Sequence, residues 1–203
     1  ILPYIAILES NFNLKKTKMG QLLSHPLTEK TIEYNEYKNN QASTGIVPRF
    51  YNCVGSMQGY RLTQEDAHLI RNENSVVYVR FFNPFIDKYE TLSLNVFAVF
   101  DGHGGDDCSK FLSGGLHHRD GNGSSNGNGE PNAGLIKWIA YSFENHHYTS
   151  TTNNDSSKFK RSFNTLEGLV SQIFKDAFIL QDEELYRHFA NSSCGSTAVV
   201  ACI

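Results

Sequence analysis

The sequence predicts a layered α/β domain with helices packed on sheets, and three observations carry that prediction. Strand-like segments dominate residues 51–100, two helical periods follow between 135 and 190, and a β-prone run closes the chain. Sheets and amphipathic helices each bury one face, so this order is resolved by helices lying on sheet. At 203 residues the chain is long enough for one sizeable core.

Residues 1–45 are rich in Asn, Lys, Glu and Thr without a sustained apolar period, and read as a polar N-terminal arm ahead of a domain over 46–203. Tyr51–Gln58 is the first strand expected, and Glu65–Ile70 the second. Ser75–Phe82 joins β-branched to aromatic residues and is a strand, stopped by Asn83-Pro84. Leu92–Phe100 is the strongest strand; from Val96 onward both faces are apolar, which predicts a central strand covered on both sides. A short helix is expected over Asp106–Leu112. The Gly/Asn/Ser-rich stretch 113–133 and the polar stretch 145–162 read as flexible insertions. Between them Leu135, Ile136, Ile139 and Phe143 recur at helical spacing. From Thr165 to Ala190 an apolar stripe runs through Leu166, Leu169, Ile173, Ala177 and Phe178, with Asn164 and Glu167 placed as a capping box. Ser196–Ile203 reads as a buried strand.

Composition narrows the function. Net charge is -3 with 19% charged residues, so no basic footprint points to nucleic acid, and none is expected as a partner. Cys53, Cys108, Cys194 and Cys202 form no C-x-x-C pair, which predicts reduced thiols in a cytoplasmic or nuclear protein, expected as a monomer. Met19-Gly20-Gln21-Leu22-Leu23-Ser24 fits the myristoylation pattern, making Gly20 a candidate acylation site and residues 1–18 a candidate non-native stretch. One acyl chain without a basic patch does not anchor stably, and Lys30 and Lys38 are outnumbered by Glu29, Glu33 and Glu36.

Two clusters carry chemistry: Arg61 with Glu65-Asp66, and Asp101-Gly102-His103-Gly104-Gly105 directly after the strongest strand. A carboxylate ending a buried strand must be solvated, paired or cation-bound, because burying it alone is costly. Glycines on either side of His103 allow close backbone approach. Carboxylate and carbonyl oxygens favour Mg²⁺ or Mn²⁺. Glu65 and Asp66 point to opposite faces of a regular strand, so both serve one site only through a bulge or a bridging water. The Arg61 guanidinium is a donor fork suited to phosphate. A Glu-Asp pair or a His between glycines is by itself more often a solvated surface or turn feature. The whole Asp-Gly-His-Gly-Gly string arises by chance in about one chain in ten thousand at ordinary residue frequencies, so a site role for Asp101 is the better reading.

Gly55-Ser56-Met57-Gln58-Gly59-Tyr60-Arg61 with Glu65-Asp66-Ala67-His68 resembles the first motif of the type 2C protein serine/threonine phosphatases. Val96–Gly105 resembles the second, and Gly195-Ser196-Thr197-Ala198 a later strand opening. The Asn-rich insertions and the Met-Gly-Gln start resemble a budding-yeast member. The resemblance implies two antiparallel β-sheets flanked by helices, with a site for two Mg²⁺ or Mn²⁺ ions. It implies that Asp101 and the Gly102 carbonyl bind metal, that Glu65 and Asp66 hold metal-bound water directly or in support, that Arg61 grips phosphate, and that His103 protonates the leaving seryl or threonyl oxygen. The expected activity is dephosphorylation of phosphoproteins by metal-activated water. The family's later Asp-Gly-x-Trp-Asp motif and Asp-Asn pair do not occur in this sequence, so the chain is expected to be an N-terminal half that is inactive alone. Two other readings share the residues: a non-catalytic phosphoprotein-binding module, and a hydrolase of small phosphate esters.

Overall fold

A computed structural model describes residues 4–8, 22–34, 52–71, 76–114, 134–150 and 162–203. Strands and helices mix as expected of an α/β chain. The centre is a four-stranded antiparallel sheet built from β1 (Tyr4–Leu8), β4 (Ala67–Arg71), β7 (Val96–Phe100) and β12 (Ala198–Cys202), in the order β1-β12-β7-β4. Gly20, residues 115–133 of the first insertion and 151–161 of the second lie outside the described residues.

Beside the sheet stand two hairpin-like pairs and a short parallel pair of β9 (Thr149–Ser150) with β10 (Ser162–Phe163). β2 (Leu22–Tyr34) pairs antiparallel with β3 (Cys53–Arg61), with register shifts between Leu22 and Lys30. A strand therefore lies inside the stretch read as a polar arm. Its residues are almost all exposed, Leu27, Ile32 and Tyr34 included, so it buries no face and leaves no apolar period to read. β5 (Val77–Asn83) and β6 (Lys88–Leu94) form an antiparallel pair. Its turn follows Asn83-Pro84 as the sequence predicts: the Phe85 amide donates to Asn83 Oδ1 at 3.1 Å, and Asp87 takes φ 53°, a conformation an Asp tolerates.

Three strand expectations need correction. Leu92–Phe100 is two strands, because Asn95 interrupts it. Asn95 N donates to Ile203 O at 2.8 Å and Asn95 O accepts from Ile203 N at 2.9 Å, with the side-chain amide adding a bond at 3.2 Å. That capture by the end of β12 hands the chain from the β5–β6 pair to the central sheet. β7 is central, but not covered twice. Val96 and Phe100 are fully buried, whereas Val99 is 53% exposed. Finally, the second strand starts at Ala67, leaving Glu65 and Asp66 in the loop before it.

Helices cover the other face. α1 (Asp107–Leu112), α2 (Leu135–Asn145) and α3 (Leu166–Phe189) match the three predicted helices. The α3 stripe is buried at Leu169, Ile173, Ala177 and Phe178, while Leu166 stays 41% exposed in the first turn. Phe143 of α2 joins the layers, its ring 5.6 Å from Phe174 of α3 and 5.9 Å from Phe81 of β5, both edge-on. Such contacts add to area burial of about 1.5–3 kcal/mol per large apolar side chain. The α3 N-cap is Thr165, whose Oγ1 accepts from Gly168 N at 3.1 Å, one residue after the Asn164 expected there. Among the described residues no helix is long and apolar enough to cross a membrane.

Candidate active site

The site is assembled where three strands of one ladder reach their ends. β8 (Gly102–His103) pairs antiparallel with β11 (Gly195–Ser196). The register is the same on both sides of the gap, with Val99 opposite Val199 before it and Gly102 opposite Ser196 after it. Asp101 therefore faces Thr197, whose amide donates to Asp101 O at 2.9 Å; Ser196 Oγ adds a bond to the same oxygen at 3.2 Å. The Gly-Ser-Thr-Ala run thus fixes the backbone of Asp101. Because side chains alternate along a strand, Asp101 and His103 emerge on the face opposite the buried Phe100, and both are exposed.

On the other side, β4 sets Ala67 opposite Phe100, and continuing that register carries Asp66 to Asp101 and Glu65 to Gly102. The approach at Gly102 is close: a Cβ there would stand 2.1 Å from the Glu65 carbonyl oxygen, so no larger residue fits without backbone movement. Glu65 is committed locally, its Oε1 accepting from Gly105 N at 2.9 Å. That bond holds the glycine loop against the β4 entry and takes one of the two oxygens expected to serve water. Both acidic residues lie off the regular strand, so the opposite-face constraint does not apply to them.

The charges converge. The Asp66 carboxyl is raised above its ordinary value by burial first, then by the Asp101 and Glu65 carboxylates, with the Arg61 guanidinium pulling it down. Arg61, the last residue of β3, is thus electrostatically part of the group and is exposed. The His103 ring lies against Gly195, where a Cβ would meet its Nε2 at 2.5 Å. Gly195 is needed for that seat. All six expected site residues are therefore brought to one end of the central sheet.

The donor set suits a hard cation. The Asp66 carboxylate, its pKa raised in part by the neighbouring Asp101 and Glu65 carboxylates, stands beside a glycine backbone, a set of oxygen donors and a repulsion that Mg²⁺ or Mn²⁺ would relieve. The set is partial: among the described residues no three His, Cys, Asp or Glu side chains form a group able to hold a metal.

Three supporting residues were not read from the sequence. Ser109 of α1 is fully buried and its hydroxyl donates to the Glu65 carbonyl, lying 3.0 Å from Asp106 O as well. Cys108 and Cys194 bring their sulfurs to 2.8 Å just beneath the loop ends. The only sequence signal for them is adjacency: Cys108 and Ser109 follow the Asp-Gly-His-Gly-Gly string, and Cys194 precedes Gly195.

Residues 107–203 match the protein phosphatase 2C family model. The match runs from α1 to β12 and starts just after the Asp101–Gly105 string. Protein phosphatase 2C homolog 2 of Hypocrea jecorina is 36% identical over 101 residues, 49% of this chain and 19% of that protein. A probable protein phosphatase of Drosophila melanogaster is 36% identical over 102 residues, 49% of this chain and 11% of its own length. A Caenorhabditis elegans protein phosphatase is 36% identical over 95 residues, 47% of this chain and 14% of its own. The matched stretch spans about a fifth or less of these relatives.

Proposed function

We propose that this chain, which belongs to the protein phosphatase 2C family, contributes the first part of a metal-dependent site that removes phosphate from phosphoserine and phosphothreonine of proteins. The observation carrying this reading is the convergence of Asp66, Asp101 and Arg61 at the sheet end where His103 is seated on Gly195. Asp101 and Asp66, with the Gly102 carbonyl, would hold the Mg²⁺ or Mn²⁺ ions. Once bound, such ions supply an acidified water and neutralise phosphoryl charge.

The remaining work falls to this chain's own groups. Arg61 offers paired N–H donors to two phosphate oxygens and so orients the phosphoryl group. His103, exposed beside Asp101, donates a proton to the departing seryl or threonyl oxygen, a poor leaving group that benefits about 10²–10⁴-fold from general acid catalysis. Glu65 holds Gly105 and hence the loop that carries His103. Phosphoproteins are the substrates, and the site works without a covalent enzyme intermediate.

The test is Mn²⁺-dependent hydrolysis of a phosphopeptide by the full-length protein. Asp101→Asn is expected to abolish turnover. His103→Gln is expected to lower it about 10²–10⁴-fold on a phosphoserine peptide, and much less on an aryl phosphate whose leaving group needs no proton. Unchanged turnover in Asp101→Asn would overturn the assignment. We further propose that the 203 residues alone turn over little, since they bring only part of a ligand set; robust activity of the isolated stretch would refute this.

A further inference from the structure

We propose that Cys108 and Cys194 form a redox modification site, which hydrogen peroxide converts to a disulfide tying α1 to β11 beside the seat of His103. The two residues are 86 positions apart in sequence, yet their sulfurs lie 2.8 Å from each other. The two thiols are in hydrogen-bond contact, and either can be the donor. Both are free thiols and both are buried. Buried cysteines commonly act only as small apolar side chains, a role Ala or Val would fill equally well. Packing does not require two sulfurs from distant segments to meet at this distance.

The surroundings favour Cys194 as the first to react. Ser192 and Ser193, immediately before it, are exposed, and Ser192 Oγ donates to Cys194 Sγ at 3.1 Å. Cys108 lies deeper, inside α1, and burial followed by the neighbouring Cys194 pushes its thiol above the ordinary range. In the first step Cys194 sulfur attacks one peroxide oxygen; the O–O bond breaks, and a sulfenic acid and one water result. In the second, Cys108 sulfur attacks the Cys194 sulfur; the S–S bond forms, the S–O bond breaks and a second water leaves. Both thiol hydrogens end in water, and the two electrons reduce the peroxide.

The consequence is positional. Cys194 adjoins Gly195, against which the His103 ring rests, and Cys108 lies one residue before Ser109, which holds the Glu65 carbonyl. A covalent link would fix these two supports of the site relative to one another. Reversible links of this sort are the form disulfides take where thiols are otherwise kept reduced.

The test treats the folded full-length protein with hydrogen peroxide, quenches in denaturant with an alkylating reagent, and maps unreduced peptides by mass spectrometry. The expected result is a linked peptide pair containing Cys108 and Cys194, loss of two alkylatable thiols, and their return with dithiothreitol. Exposed Cys53 of β3 and buried Cys202 of β12 serve as internal references. The proposal fails if Cys108 and Cys194 remain alkylatable after Cys53 has been consumed, or if either links instead to Cys53 or Cys202. Sulfur connectivity is read directly, so the outcome is independent of the phosphatase reading.

Discussion

The two faces of the central sheet share strands and do different work. On the helix-covered face Val96, Ala98 and Phe100 of β7 alternate inward with Ala198, Val200 and Cys202 of β12, all nearly inaccessible. On the other face Phe97 and Ala201 are half-buried, Val99 is 53% and Val199 45% exposed, and the row continues into Asp101 and His103. A strand's period of two lets one sequence serve both demands: even positions anchor the backbone while odd positions present Asp101 and His103 on the open face. The apolar pressure that fixes the site's geometry is thus exerted one residue away from it, on the far side.

The largest expected contrast is between core and open face. Phe174→Ala should cost about 3–5 kcal/mol in a denaturant titration, because Phe174 is fully buried against Phe143. Val99→Ala should cost under about 1 kcal/mol in the same chain, and equal losses would remove the distinction between the faces. Next in size is Gly102→Ala. The added Cβ would meet the Glu65 carbonyl oxygen, and overpacking of this kind costs about 1–3 kcal/mol, measurable as a lowered urea midpoint. A tolerated Ala with an unmoved midpoint would show that β4 and β8 do not approach as described.

The smallest effect is pH-dependent. His146, after the end of α2, packs 5.1 Å from Phe81 and stacks at 6.1 Å on Tyr148, and burial holds its pKa below the ordinary 6.5. The folded state thus binds its proton less readily than the unfolded chain does. Its contribution to stability is complete above pH 6.5 and is lost as pH falls from there toward the folded value. His146→Phe should flatten that part of the stability profile in thermal melts between pH 7.5 and 5; an unchanged slope would contradict it.

Much of the layout of the candidate site was legible because short-range constraints write themselves into sequence. The Asp-Gly-His-Gly-Gly string needs its glycines for close approach, and the clash that a Cβ at Gly102 would make with the Glu65 carbonyl is the physical form of that need. The α3 stripe was legible because one whole face is buried. What stayed hidden depends on partners far along the chain. Asn95 breaks a strand only because Ile203 takes its backbone bonds, and Glu65 reaches Gly105 across 40 positions. The one-sided cover of β7 was misread because apolar residues on both faces do not tell which face is filled. β2 was missed for the opposite reason, since a strand exposed on both faces leaves no periodic signal.

Asp101 is the side chain proposed to gather the divalent cations. Calorimetric titration of the full-length protein with Mn²⁺ tests this without relying on turnover. Wild-type protein should take up metal, and Asp101→Asn should lose that heat while retaining the same unfolding midpoint in chelator. Undiminished uptake by the Asn variant would contradict the account.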